Sequence, residues 1–439
     1  MFLLPALAAL LAATGSATLF SSIPLNLSTN PTEFNFHVTA DKLERFRTSL
    51  SVSSVAVDDW YNQHQNIQFG TTRSWLAEAK EAWINFDWRD KDNHINRFPN
   101  FNIPIDDNNL GVTNIHFIAL FSQRKDALPL LFLHGWPGSV IEFLPVLDLL
   151  TSKYNADTLP YHVIIPSLPH YGLSGGPSDV ELTLSDAARL MNEQMRSLGF
   201  VSGYVVQGGD IGSFIARILS ATYPECKAFH INMLAPSSED EILSNANITA
   251  TETEHVQHMY DFSANGSSYI LEHGLRPSTI GLVLASSPLA ALSWIGEKLI
   301  EWPDHRYPLS LDNILTLVTF YWHTNSFSRN LYPYRPMAEA AVENKLFNVP
   351  TSKAKPFGYS VFPAEDILMP EAWAKKAYPN LVYYKRNQRG GHFAALEQPE
   401  IFLSNVEDFL KLARPLIEIR RYNPTIQDRP HDMSCSSFN

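Results

Sequence analysis

The run Leu128-Pro129-Leu130-Leu131-Phe132-Leu133, which stops abruptly at His134-Gly135, limits the possible folds more than any other stretch of the chain. Apolar residues without alternation fit a strand covered on both faces. That happens when helices flank a parallel sheet. The neighbouring sequence repeats the theme. Residues 115–120 and 161–165 read as strands, the second stopped by Pro166, and 184–198 as an amphipathic helix. A strand at 203–207, a helix over 211–223 and a strand at 228–233 follow. This βαβ alternation specifies an α/β fold with a mainly parallel, doubly wound sheet.

The rhythm is lost over 236–345, a helical, aromatic stretch punctuated by Pro288, Pro303, Pro308, Pro333 and Pro336. Strand pattern returns at 357–362 and 381–384, and a last helix spans 400–412. The α/β core is therefore read as 111–235 plus 346–420, interrupted by a helical cap and followed by a tail over 421–439. Ahead of it, 24–110 reads as an irregular region with helices over 38–50 and 71–86 and extended, proline-containing segments at 98–105.

The first residues read as an address or an anchor. Phe2 to Ala13 is an apolar run of about a dozen residues, the length of a signal-peptide core and short of the roughly 20 that span a bilayer. Gly15 and Ala17 fit a small-x-small cleavage site, although no Lys or Arg precedes the run. Residues 1–17 are thus read as a cleaved signal, with a weak membrane anchor as the alternative. Asn26, Asn247 and Asn265 head glycosylation triplets, which suits a secretory route ending outside the cell or in the endoplasmic reticulum lumen. Lys+Arg 33 against Asp+Glu 45 leaves a net charge of −12 without basic runs, which argues against nucleic acid as a partner. Two cysteines can build neither a disulfide framework nor a four-cysteine zinc site.

Three windows carry chemistry. In Gln207-Gly208-Gly209-Asp210-Ile211-Gly212, glycines flank a sharp strand-to-helix turn of the kind that presents a nucleophile. Ser usually stands at its centre; here it is Asp210, whose carboxylate can attack carbon and leave an ester. A plainer reading makes Asp210 a helix cap. His134-Gly135-Trp136-Pro137-Gly138 follows the apolar strand, where α/β-hydrolases place one oxyanion-hole N–H, here that of Trp136; the second comes from the residue after the nucleophile, Ile211. Gly390-Gly391-His392 lies after the last strand, where that fold holds its base. The orienting acid should come after an earlier strand, and Glu365 and Asp366 both qualify. Taken singly, the second window reads as an ordinary turn and the third as a structural histidine; it is their order along the chain that singles them out. Gly172-Leu173-Ser174-Gly175-Gly176 matches G-x-S-x-G formally, but no strand leads into it and no helix leaves at Leu173.

With these segments quoted, the chain resembles epoxide hydrolases of the microsomal type, including their fungal and insect relatives. The resemblance rests on His134-Gly135-Trp136-Pro137-Gly138-Ser139 and Gly208-Gly209-Asp210-Ile211-Gly212-Ser213. It extends to Arg276-Pro277-Ser278-Thr279-Ile280-Gly281, Ser287-Pro288 and Arg389-Gly390-Gly391-His392-Phe393. It implies that Asp210 opens an epoxide and that His392, oriented by Glu365 rather than Asp366, activates water against the resulting ester. It further implies two cap tyrosines as proton donors, matched to Tyr269 and Tyr332, with Tyr334 a close competitor. The substrate implied is a small hydrophobic epoxide plus water, with no metal and no cofactor; membrane association would be weak, and oligomeric state has no signature in the sequence. Haloalkane dehalogenases share the Asp nucleophile but resemble one another in a Trp after it, where this chain has Ile211, and fluoroacetate-type enzymes carry an Arg there.

Overall fold

The computed structural model describes residues 20–23, 27–64, 69–236, 247–343 and 348–417. The segment 1–17, Asn26 and the tail 421–439 fall outside them. Nine strands form one sheet: β1 (Thr32–Phe34), β2 (Asn100–Asp107), β3 (Gly111–Leu120), β4 (Leu128–Leu133), β5 (Tyr161–Pro166), β6 (Tyr204–Gly208), β7 (Cys226–Ile231), β8 (Phe357–Val361) and β9 (Leu381–Arg386), in the order β1-β2-β3-β5-β4-β6-β7-β8-β9. From β5 to β9 every pairing is parallel, and β1, β2 and β3 extend the sheet as an antiparallel wing. The unalternating β4 is buried throughout and lies centrally, Leu130 opposite Val163 on one side and Val205 on the other. This is the mainly parallel, doubly wound sheet that the strand–helix rhythm implies, with the inserted cap of the α/β-hydrolase fold that the resemblance implies.

The N-terminal region supplies strands as well as helices. β2 and β3 are a hairpin, in register from Asn100↔Ile118 to Asp107↔Gly111, so the chain on either side of residue 110 shares the sheet. Pro104 is accommodated because β1 covers β2 only as far as Asn102, leaving that edge open. The two expected helices run over Ala40–Val52 and Arg73–Ile84, capped by Thr39 and Thr72 side chains that accept from the Lys42 and Trp75 amides. A third helix, Trp88–Ile95, has a mostly polar sequence and buries its two ends, Trp88 and Ile95, with Asp92.

Cap helices occupy Ala250–Asp261, Ser268–Leu275, Pro277–Ser286, Pro288–Glu301, Leu311–Thr324 and Tyr334–Val342. The N-terminal helices clasp them. Trp83 donates its indole N–H to Thr319 Oγ1 at 2.7 Å in a buried setting, and Thr71 Oγ1 donates to the Ser293 carbonyl at 3.0 Å. Among the described residues no single helix is long and apolar enough to cross a membrane; the bent pair Pro277–Ser286 and Pro288–Glu301 reaches that length and composition only jointly.

Candidate active site

β6 runs into the helix Asp210–Thr222 through a turn too tight for side chains on its inner side. A Cβ on Gly212 would collide with the Leu133 carbonyl, so only glycine lets the helix approach β4 this closely. Asp210 itself stands at φ 47, in the left-handed region that a non-glycine residue occupies at a cost of order 1–3 kcal/mol. The cost holds the carboxylate clear of the helix. It does not act as the helix cap, because Gly209 occupies that position and Asp210 is the first helical residue.

The carboxylate has two distinct oxygens. Oδ1 accepts the Trp136 backbone N–H at 2.7 Å. That contact depends on Gly135, where any Cβ would strike the Asp210 side chain. Oδ2 lies 3.5 Å from His392 Nε2. The opposite ring nitrogen, Nδ1, is 3.1 Å from Glu365 Oε1. Asp210, His392 and Glu365 therefore form one continuous line. Ile211 is buried in the helix's first turn.

The structure separates the two neighbouring acids. Glu365 is 1% exposed and engages His392, whereas Asp366 Oδ1 pairs with His258 Nε2 at 2.8 Å. Burial pushes the Glu365 carboxyl upward, with His392 opposing the shift. For His392 burial works against the charged ring, yet Glu365 and Asp210 outweigh it and hold the imidazolium well above the ordinary histidine range. Ser174 is buried and structural: its hydroxyl donates to the Ser167 carbonyl at 2.7 Å and accepts the His116 amide at 2.9 Å.

The histidine loop is fastened from both sides. Glu397 accepts three backbone N–H groups, from Phe393 at 2.8 Å and from Gly391 and Asp304 at 2.9 Å each. His392 donates its own amide to the Trp302 carbonyl at 3.2 Å. Glu142 lines the same pocket as Asp210 and His392. Burial raises its carboxyl to about 8, so at neutral pH it adds no second negative charge beside Asp210. The sequence reading does not include Glu142; an acid inside the apolar stretch Val140-Ile141-Glu142-Phe143-Leu144 was the available signal.

Two cap tyrosines gather at Trp136 beside Asp210, and they are Tyr269 and Tyr334 rather than Tyr269 and Tyr332. Tyr269 stacks on the Trp136 indole, centroids 5.5 Å apart at 15°, and meets the Tyr334 ring edge-on at 5.6 Å. Burial raises both phenols well above their usual value, and the Asp210 charge adds to the shift in each. Tyr332 points elsewhere. Its ring lies against His170 and Tyr171, 6.3 Å from each, and the charge acting on it besides burial is that of Asp186. The structure thus brings Tyr334 to Tyr269 and Trp136, and places Tyr332 apart from them: the helix Tyr334–Val342 begins at Tyr334, while Tyr332 belongs to the turn before it and packs on His170 and Tyr171.

Comparison with known proteins bears on this arrangement. Residues 31–143 match the family described as "Epoxide hydrolase N terminus" and residues 129–251 that described as "alpha/beta hydrolase fold". A relative from Dothistroma septosporum carrying an epoxide-hydrolase name is 40% identical over 401 residues, 90% of this chain and 93% of that protein. Epoxide hydrolase 1 of Sus scrofa is 28% identical over 426 residues, 89% of this chain and 88% of its own. The solved structure of Aspergillus niger epoxide hydrolase superposes with a TM-score of 0.81 at 39% identity, covering 90% of this chain and all (100%) of that one.

Proposed function

Since the chain belongs to the epoxide hydrolases of the α/β-hydrolase fold, we propose that it converts a hydrophobic epoxide and water to a vicinal diol through a covalent ester on Asp210. The observation that carries this reading is the Asp210 carboxylate, with Oδ1 tied to the Trp136 amide and Oδ2 facing His392. An oxygen so presented attacks an epoxide carbon without a base. The C–O bond breaks, and its electron pair goes to the epoxide oxygen. Tyr269 and Tyr334 donate hydrogen bonds there and one passes on its proton.

Once the Asp210 charge is esterified, the His392 ring releases its resting proton to solvent; in the second half-reaction the neutral ring takes a proton from water, and the resulting hydroxide adds to the ester carbonyl. The oxyanion forms where the Trp136 amide already sits, with the Ile211 amide as the second donor. Collapse releases the diol, which takes the proton from His392. The regenerated Asp210 carboxyl gives up its own proton, which replaces the one lost by the tyrosine. Glu365 holds the ring and favours its charged form throughout. Aromatic walls at Trp136, Tyr269 and Trp302 favour an apolar substrate. A signal over 1–17 and sugars on Asn26, Asn247 and Asn265 would place the enzyme in the secretory route; Asn247 and Asn265 are exposed.

Single turnover in heavy-oxygen water tests the ester. Label is expected in the Asp210 peptide, and the first diol is expected to be unlabelled because its new oxygen comes from the enzyme. Labelled diol in that first turnover would refute the covalent route.

A further inference from the structure

Lys298 is a buried cation, 5% exposed, on the inward side of the cap helix Pro288–Glu301. Its ammonium lies over the ring of Tyr269 at 4.9 Å from the centroid, with Trp302 at 5.8 Å and Trp294 at 6.0 Å completing a cage. Its one ion-pair partner among the described residues is the adjacent Glu297. A lysine is seldom buried this deeply, and an aromatic cage satisfies it less fully than water would. The cage member nearest the ammonium is the tyrosine that faces the nucleophile.

The placement is asymmetric in a useful way. Trp136 stacks on the Tyr269 ring, and Trp136 is also the residue whose amide holds Asp210 Oδ1. Burial and the Asp210, Asp366 and Glu365 carboxylates all resist loss of the phenol's proton, and the ammonium over the ring, 4.9 Å from its centroid, is the positive charge placed to oppose them. We propose that Lys298 is a positioning residue for ring opening: its charge, held over Tyr269, makes the phenol a stronger donor to the epoxide oxygen as negative charge develops there. As Asp210 attacks, its carboxylate becomes a neutral ester, and the first-named of the charges opposing ionisation of the phenol disappears, while those of Asp366 and Glu365 stay. The ammonium remains. Lys298 therefore acts most strongly when the oxygen bears charge, and it has no part in the later attack of water. This inference rests on the reading of Tyr269 as a donor.

The test separates steps and partners. Lys298→Met removes the charge and keeps the length; Lys298→Arg keeps a charge suited to an aromatic cage. Ring opening is followed as the rate of mass gain on Asp210 in a His392→Gln background, and ester hydrolysis as decay of preformed ester with His392 intact. Lys298→Met should slow ring opening by roughly 10- to 30-fold and leave ester hydrolysis within about twofold. Lys298→Arg should restore most of the loss. In a Tyr269→Phe background, Lys298→Met should cost little further, since the hydroxyl through which it acts is gone. Should the Met variant not fold, Lys298→Gln, which keeps a hydrogen bond to Glu297 without charge, takes its place. Equal losses in both steps, or an undiminished loss in the Tyr269→Phe background, would overturn the inference. Full ring-opening activity in Tyr269→Phe itself would instead overturn the donor reading beneath it.

Discussion

Replacing Tyr334 by Phe distinguishes the geometric assignment of the cap donors from the one implied by sequence spacing. The Tyr334 side chain is 1% exposed, and the one polar side chain that its hydroxyl approaches among the described residues is the Tyr269 phenol, beyond ordinary hydrogen-bond geometry. Removing it gives up at most that weak contact with Tyr269, so folding stability should hold and the loss should fall on the reaction. What is lost is one hydrogen bond to an oxygen acquiring full negative charge, in a setting walled by Trp136, Tyr269 and His273. Such bonds are worth about 1.5–3 kcal/mol, so ring opening should slow by about 10- to 150-fold. Tyr269→Phe should behave alike, and the double variant should lose less than the product of the two, because both donors share one acceptor. Tyr332→Phe should stay within about twofold of the parent, since its neighbours are His170 and Tyr171. Enzyme in excess, mixed with epoxide and quenched at intervals, gives the rate from the mass of the Asp210 ester in a His392→Gln background. Slow ring opening in Tyr332→Phe with Tyr334→Phe unaffected would refute the assignment.

Three further outcomes follow from the same geometry. Glu365→Gln keeps a partner for His392 but removes the charge 3.1 Å from its Nδ1, so ester hydrolysis should fall roughly 10- to 100-fold; Asp366→Asn should stay near normal because that acid serves His258, and the opposite order would move the orienting acid by one residue. The resting imidazolium is held up by Glu365 and Asp210 against burial, and ester formation removes the Asp210 charge, so the pKa of His392 should fall in the ester. Hydrolysis needs the neutral ring and is lost as pH falls through that lower value; an acid limb at or above the resting pKa measured by NMR would contradict this. Purified from its native source, the protein should start near Thr18 and shrink on glycosidase treatment, and recovery of Met1 on sugar-free chain would end the secretory reading.

What the sequence made legible depends on how locally each feature is determined. β4 could be read because burial on both faces removes alternation, and the structure covers every one of its residues. Asp210 stood out because a nucleophile turn needs glycines within two or three positions, and contacts such as Gly212 against Leu133 show why. The helix Trp88–Ile95 escaped notice because an Asp87 cap and two buried ends stabilise it rather than an apolar stripe. Tyr332 and Tyr334 could not be told apart by spacing, since their directions depend on where a helix starts. Lys298 and Glu142 stayed hidden for the opposite reason: a lone charge in an apolar helix or turn reads as a solvent-facing residue, and only the fold shows that both are buried.

In the proposed mechanism the chemistry is divided between core and cap, and the bonds between them give the N-terminal region a part in it. Asp210 and Glu365 follow strands of the sheet, whereas Tyr269 and Tyr334 belong to the cap. His392 lies between, its amide on Trp302 at the end of a cap helix and its loop bound to Asp304 through Gly390 at 2.9 Å. Trp302 also packs against Tyr269, centroids 5.4 Å apart. Under that mechanism a displaced cap would misplace the proposed donors, Tyr269 and Tyr334, and the proposed base, His392, together. Angstrom-scale errors of that kind can cost on the order of 100-fold in rate. The N-terminal helices touch none of the reacting groups, yet they fasten the cap through Trp83 to Thr319 and Thr71 to Ser293. Their contribution is to fix the distance between a carboxylate on the sheet and the phenols above it.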